Sequence, residues 1–298
     1  ALAVILDKNA LPSITGWICD HQCQLHCTRM DYEGAIAIRK IKKLACEMVG
    51  KEYMDEIFCA PEEPADVKAA VVGAGPAGLS AAFFLARAGF DVTLYERESC
   101  AGGVVRNVIP SFRIPEAVVD KDVDFIRKNG VKMVFNADLD AMHYEKLKEA
   151  GFDWVFYALG AEKPNMPSVT GNGRIIDATS FLKGFKAGER IVQNGHVVVI
   201  GGGNTAMDTA RAAKRLGNQV TIVYRRRRNE MPCDREELDA AESEGISIST
   251  YCNPKDFTDG VITLAVMTAG PEDESGRARP VDTGEEFVLH ADLLISAT

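Results

Sequence analysis

The sequence has no Cys-x-x-Cys pair, no long apolar run, no excess of positive charge and few aromatic residues. Each absence removes a class of function. Cys-x-x-Cys is the usual redox dithiol of thioredoxin-like chemistry, so its lack counts against a disulfide reductase. No segment approaches the ~20 consecutive apolar residues of a membrane-spanning helix, so no membrane partner is expected. A formal net charge of -9 argues against nucleic acid, because phosphate backbones are bound by basic surfaces. The opening ALAVIL is short and lacks a basic flank before Asp7 and Lys8, so it does not read as a signal peptide. Of eight cysteines, Cys19, Cys23 and Cys27 crowd together, while Cys46, Cys59, Cys100, Cys233 and Cys252 are scattered. That is no secreted disulfide scaffold, and a cytoplasmic location is expected. The chain starts without Met and stops at DLLISAT, which reads as a piece of something longer.

What is present fills 298 residues, enough for about two domains and an appendage. Residues 1–66 carry the cysteines and then a stretch, Ile36, Ile38, Ile41, Leu44, Ala45 and Met48, with mostly helical spacing. APEEPADVK, at 60–68, reads as a linker. Residues 67–170 open on AAVVGAGPAGLSAAFFLARAGFDVTLYER. This predicts a strand over Ala69–Val72, a helix over 77–88 ending before Gly89, and a strand over Val92–Tyr95. Residues 171–298 repeat the design in HVVVIGGGNTAMDTARAAKRLGNQVTIVYRRRR, with strands Val197–Ile200 and Val220–Tyr224 around a helix from about Thr205 to Leu216. The repeat predicts an α/β chain of two Rossmann-like dinucleotide-binding domains with parallel sheets, preceded by a small helical segment.

In the first unit Gly73 suits the tight turn, Gly75 a close approach to pyrophosphate, and Gly78 close helix–strand packing. The following helix start turns its unpaired N–H groups toward the phosphates. Glu96, ending the second strand, is placed to accept from ribose hydroxyls. The second unit has Gly201, Gly203 and Ala206, and in place of an acid it has Tyr224 followed by Arg225 to Arg228. Guanidinium matches phosphate geometry, so Arg225 and Arg226 are expected on a 2′-phosphate, which predicts NADP over NAD. Arg227 and Arg228 read as a solvated turn. Flavin in the first site and nicotinamide in the second would make a hydride-transfer protein. That step requires no protein acid or base, and no catalytic residue is nominated.

Three readings of Cys19, Cys23 and Cys27 stand open: iron–sulfur ligands, zinc ligands with His21 or His26 as the fourth, or reduced thiols.

The motifs VVGAGPAGLSAA, YERESCAGGVV, IPSFRIP, YALG, VVVIGGGNTAMDTAR and VTIVYRRRRNEMP stand in the order found in the glutamate synthase small-subunit superfamily, which the chain resembles over nearly its whole length. TGWICDHQCQLHCTRMDYEGAIAIRKIKKLA looks most like the selenate reductase branch of that group, and the N-terminal half of dihydropyrimidine dehydrogenase is similar too. The resemblance implies an FAD-dependent NADPH oxidoreductase subunit. It would relay electrons through [4Fe–4S] clusters to an accepting domain or subunit: a glutamate synthase large-subunit-like chain, a molybdenum enzyme or ferredoxin.

By the same resemblance Gly73, Gly75, Pro76, Ala77 and Gly78 hold the FAD pyrophosphate, and Glu96, Arg97, Gly102, Gly103 and Val104 wrap the adenosine and phosphates. Arg113 and Leu139 make further FAD contacts, and Gly202, Gly203, Asn204 and Thr205 take the NADP phosphates. Ala297 and Thr298 begin an A-T-G-like element at the edge of the nicotinamide domain. It further implies that Cys19, Cys23 and Cys27 form the second of two cysteine segments, with Lys42 near the place where some relatives carry Gln or Glu. The first cysteine segment, and a Gly-Asp motif that finishes the flavin site, would lie outside these residues, leaving FAD weakly held and the cluster sites empty or partly filled. The alternative is a non-catalytic nucleotide-binding docking module of a larger redox complex.

Overall fold

The computed structural model describes residues 1–50, 56, 61, 65–161, 163–272 and 278–298. Of the linker expected at 60–68, residues 60 and 62–64 lie outside the described residues, and Lys68 already begins the first strand. The chain divides into two compact units, residues 1–161 and 162–298.

The first unit is built on a four-stranded parallel sheet of β1 (Lys68–Val72), β2 (Asp91–Tyr95), β3 (Lys132–Val134) and β4 (Trp154–Tyr157), in the order β3-β2-β1-β4. Ala69 to Val72 are all buried, as expected of a central parallel strand covered on both faces. The helix Pro76–Arg87 lays Leu79, Ala82, Phe83 and Ala86 on the core, joined by Val119, Val123, Phe125 and Ile126 of the helix Glu116–Lys128. β4 leaves Trp154 and Phe156 largely exposed.

Residues 1–50 share this core. The helices Leu2–Leu6, Pro12–Ile18 and Ile38–Glu47 contribute Leu2, Leu6, Ile14 and Cys46 to it. Asp122, fully buried, fastens them down: its carboxylate accepts from Ser13 N at 3.2 Å and Ile14 N at 2.8 Å. Lys121 Nζ donates to Cys46 O at 2.5 Å, and Lys43 Nζ sits 3.3 Å above the Trp17 ring. The helix expected from the spacing of Ile38, Ile41 and Leu44 does form. It turns Cys46 inward, however, and leaves Ile38, Ile41, Leu44 and Met48 exposed. The pattern carries the helix and not the face that is covered.

The second unit holds a five-stranded parallel sheet in the order β5-β12-β6-β7-β8. Its strands are β5 (Ile175–Asp177), β6 (His196–Ile200), β7 (Gln219–Tyr224), β8 (Ser247–Thr250) and β12 (Leu293–Ser296). A three-stranded antiparallel sheet, β9 (Cys252–Thr258), β10 (Val261–Glu272) and β11 (Ala278–His290), packs Phe257, Ile262 and Leu264 with Val198, Ile200, Val223 and Leu294. The β6–helix–β7 unit, with its helix at Asn204–Arg215, falls within a residue or two of its predicted bounds, as does β1–helix–β2. Parallel strands joined by covering helices make both units Rossmann-like.

Candidate nucleotide-binding sites

In the first unit the turn after β1 is closed by contact. A methyl added at Gly78 would lie 1.8 Å from Gly73 O, so strand end and helix start touch through backbone alone. Pro76 occupies the first turn of the helix, where its missing N–H costs nothing, and Ala77 is exposed beside it. A second glycine pair lies against the same turn. Gly102 N donates to Ala74 O at 2.8 Å, and a methyl at Gly103 would come 2.8 Å from Gly75 Cα. Nothing lies within 4 Å of where a Gly75 side chain would project, so that side of the turn is open for close approach.

Glu96 is 6% exposed, with Oε2 accepting from Ala74 N at 2.6 Å and Oε1 from Glu98 N at 3.0 Å. Its first task is to hold the turn, and the second lone pair on each oxygen is what a ribose could use. Arg97 is exposed and lies 3.9 Å from Glu98. Val104 opens the short helix Val104–Asn107 and is 46% exposed. Arg113 sits in a turn closed by its N–H to Pro110 O at 2.9 Å. Leu139 packs with Tyr95, Phe152 and Tyr157 beside Ala70 and Val72, the β1 residues that face away from the helix Pro76–Arg87. The structure therefore gathers Gly73 to Gly78, Glu96, Gly102 and Gly103 at one turn, and seats Leu139 in a separate cluster.

In the second unit a cavity of about 540 Å³ opens on the glycine turn after β6. Gly201, Gly202, Gly203, Arg225, Arg226, Ala297 and Thr298 all line it. Gly202 abuts Tyr224: a methyl there would lie 2.6 Å from the ring. Tyr224 in turn donates its hydroxyl to Glu230 O at 2.8 Å. Asn204 Oδ1 accepts from Asp234 N at 2.8 Å, setting the start of the helix Arg235–Ser243, and Thr205 is exposed at the first helical turn. Ala297 N donates to Ile200 O at 2.8 Å, and Thr298 Oγ1 to Asn165 O at 3.2 Å.

The arginine run divides. Arg227 Nε donates to Tyr251 Oη at 2.6 Å, and Arg228 binds both carboxylate oxygens of Glu242, at 3.0 and 2.5 Å. Both stay at the surface, as expected, and each also bonds within the fold. Arg225 and Arg226 line the cavity, with Arg226 Nε donating to Ala278 O at 3.3 Å. Burial raises the Cys252 thiol to about 11 and pushes Cys233 up as well, so neither supplies a thiolate near neutral pH. Sequence reasoning missed Asn165 and Asn253 in the wall. Asn165 accepts from Ser296 and Thr298 at the end of β12, and Asn253 lies on β9; both placements are tertiary facts without a local signal.

Cys19 ends the helix Pro12–Ile18, Cys23 is exposed in the short helix Gln22–Leu25, and Cys27 precedes the turn Thr28–Asp31. Backbone hydrogen bonds from Ile36 and then Arg29 hold the Cys27 thiol below its usual range. Among the described residues no three His, Cys, Asp or Glu side chains converge to hold a metal ion. Cys19, Cys23 and Cys27 therefore form no metal-ion site in this arrangement, and neither His21 nor His26 completes one. Among the described residues no helix is long and apolar enough to cross a membrane.

Two Rossmann-like units, each with a glycine turn between a buried strand and a helix, define a dinucleotide-binding oxidoreductase fold. The family model described as pyridine nucleotide-disulphide oxidoreductase matches residues 67–298. YgfK of Escherichia coli K12, named as a candidate oxidoreductase, is 46% identical over 301 residues, covering 100% of this chain and 29% of that protein. The NADPH-Fe(3+) oxidoreductase subunit beta of Geobacter sulfurreducens PCA is 35% identical over 315 residues, covering 100% of this chain and 46% of its own. A candidate glutamate synthase (NADPH) small chain of Cereibacter sphaeroides is 32% identical over 309 residues, covering 95% of this chain and 73% of its own. Histamine dehydrogenase of Rhizobium sp. 4-9 shares the fold at TM-score 0.60 and 21% identity, over 80% of this chain and 36% of that one. The chain belongs to the pyridine nucleotide-disulphide oxidoreductase family, in its glutamate synthase small-chain group. It spans under half the length of the first relatives it matches.

Proposed function

We propose that this chain is the FAD- and NADPH-binding part of an oxidoreductase that passes electrons to a partner domain or subunit. The observation that carries the reading is the pair of glycine turns, one tied to an acid, Glu96, and the other opening on a cavity walled by Arg225 and Arg226. When bound, the two cofactors supply the hydride chemistry. The protein's share is binding and orientation. Gly73 to Gly78 with Gly102 and Gly103 admit a pyrophosphate to bare backbone, and Glu96 fixes that turn while offering lone pairs to a ribose. The cradle fits: a side chain at Gly78 or Gly103 would fill it, and Gly75 opens to free space. Gly202, Gly203, Asn204 and Thr205 form the second phosphate turn, and Arg225 and Arg226 favour a 2′-phosphate that a carboxylate would repel.

The proposed division is residues 1–66 as a helical segment of iron–sulfur type, 67–170 for flavin and 171–298 for nicotinamide. Onward transfer through iron–sulfur centres is supported by the resemblance in the TGWICDHQCQLHC segment. Because Cys19, Cys23 and Cys27 do not converge, no step is assigned to them. A cytoplasmic setting is part of the same reading.

The test is to add FAD to the purified chain, record its visible spectrum, and follow NADPH oxidation with ferricyanide as acceptor. Yellow protein and NADPH-dependent reduction, faster than with NADH, are expected. A chain that takes up no FAD sinks the flavin assignment. Tight binding of both nucleotides without turnover favours a docking module instead.

A further inference from the structure

The groove along the glycine turn of the second unit does not stop at Arg225 and Arg226. The same two arginines, with Asn253, line a neighbouring cavity of about 450 Å³ whose far wall is Met267, Arg279 and Pro280. Arg279 lies outside the β6–helix–β7 unit, on β11 of the antiparallel sheet. Register and hydrogen bonding hold it there. Ala278 pairs with Glu272 and Pro280 with Ala269 across β10, and Arg226 Nε donates to Ala278 O at 3.3 Å.

Three arginines therefore line one concavity, and among the described residues none of its six lining residues is acidic. The chain as a whole is acidic, with a net charge of -9. Like charges gathered in a concave wall raise each other's energy and attract an anion strongly. Guanidinium donors suit phosphate oxygens in particular.

We propose that Arg279 is a third ligand for the 2′-phosphate of NADPH, so that discrimination against NADH is shared between the glycine-turn unit and the β9–β11 sheet. The proposal rests on the nicotinamide reading of this site. Recognition would then depend on a strand that no dinucleotide fingerprint contains. It would also tie the placement of β11 to the presence of the 2′-phosphate.

The experiment is calorimetric titration of the whole chain with 2′,5′-ADP and with 5′-AMP. Wild type is expected to prefer 2′,5′-ADP. Arg279→Ala should weaken 2′,5′-ADP about tenfold, the scale of one lost charge-assisted hydrogen bond, and leave 5′-AMP unchanged. Arg279→Lys should retain part of the preference. Arg235→Ala, a control at an exposed arginine paired with Asp239, should change neither. If Arg279→Ala weakens both nucleotides equally, or neither, while Arg225→Ala with Arg226→Ala abolishes the preference, the role of Arg279 is overturned and the NADPH reading stands. If wild type binds the two nucleotides equally, the NADPH reading falls and the proposal falls with it.

Discussion

Asp122 gives the first unit a pH dependence opposite to that of an ordinary ion-paired carboxylate. Burial raises its pKa to about 6, against hydrogen bonds from Ile14 and Ser13 and the nearby Lys121 that pull it down. The folded state therefore holds this proton more tightly than the unfolded chain, where the value is 3.8. Stability from this group is fully present below the unfolded value and is lost as pH rises through the folded value. Each tenfold difference in proton affinity between the two states is worth about 1.4 kcal/mol, so the change across the whole window is about 3 kcal/mol. Between pH 7.5 and 5 it recovers about 1.4 kcal/mol, because pH 5 lies one unit below the folded value.

Other carboxylates also titrate there, so the measurement is a difference. Urea unfolding is followed by tryptophan fluorescence at both pH values in wild type and in Asp122→Asn. Trp17 and Trp154 are the only two tryptophans, and both lie in residues 1–161, so the signal reports the first unit. Wild type should gain about 1.4 kcal/mol more than the variant on acidification. The asparagine keeps one acceptor and turns an N–H toward the other backbone donor, so it should also be less stable at pH 5. Parallel behaviour of the two proteins, or a wild type that loses stability relative to the variant on acidification, would refute the reasoning.

Glu96→Gln should destabilise the first unit by about 1.5–3 kcal/mol, because an amide N–H would face Ala74 N or Glu98 N where a charged acceptor now sits. Urea unfolding and FAD titration should both register it, and an unchanged midpoint would remove Glu96 from the turn. Gly78→Ala should abolish FAD uptake, since its methyl meets Gly73 O. The reverse change in the second unit, Ala206→Gly, should cost only about 1 kcal/mol of helix propensity, and comparison of the two variants by thermal unfolding checks the contrast.

The two βαβ units were legible because their signals are local: an apolar run, a glycine turn, a helix and a second run. Even the difference between Gly78 and Ala206 has a visible cause. Ala206 is fully buried with its methyl in place, so the second turn accommodates a side chain where the first would meet Gly73 O at 1.8 Å. What stayed hidden is non-local. Nothing in LLIS announces that it lies between β5 and β6, and nothing in the Ala278–His290 strand announces that its Arg279 lines the same cavity as Arg225. The cysteine spacing shows three thiols near one another in sequence and says nothing about convergence. The stripe on Ile38–Glu47 shows the limit of periodicity, because which face is covered was decided by Asp122, Lys121 and Trp17 from elsewhere.

The position of β12 has a consequence for the order of assembly. Leu293–Ser296 pairs with β6 on one side and β5 on the other. On the ribosome the ladder on that flank of β6 stays open until these residues emerge, so the second unit cannot mature step by step behind its own synthesis. It must wait and then close over a long stretch of chain, a slow event whose entropic cost is met only at the end. The four strands of the first sheet are all in hand once β4 has emerged, without that delay. During translation the first sheet is laid down while β6, apolar from Val197 to Ile200, still has one flank open, and that interval is when the chain is most exposed to mispairing.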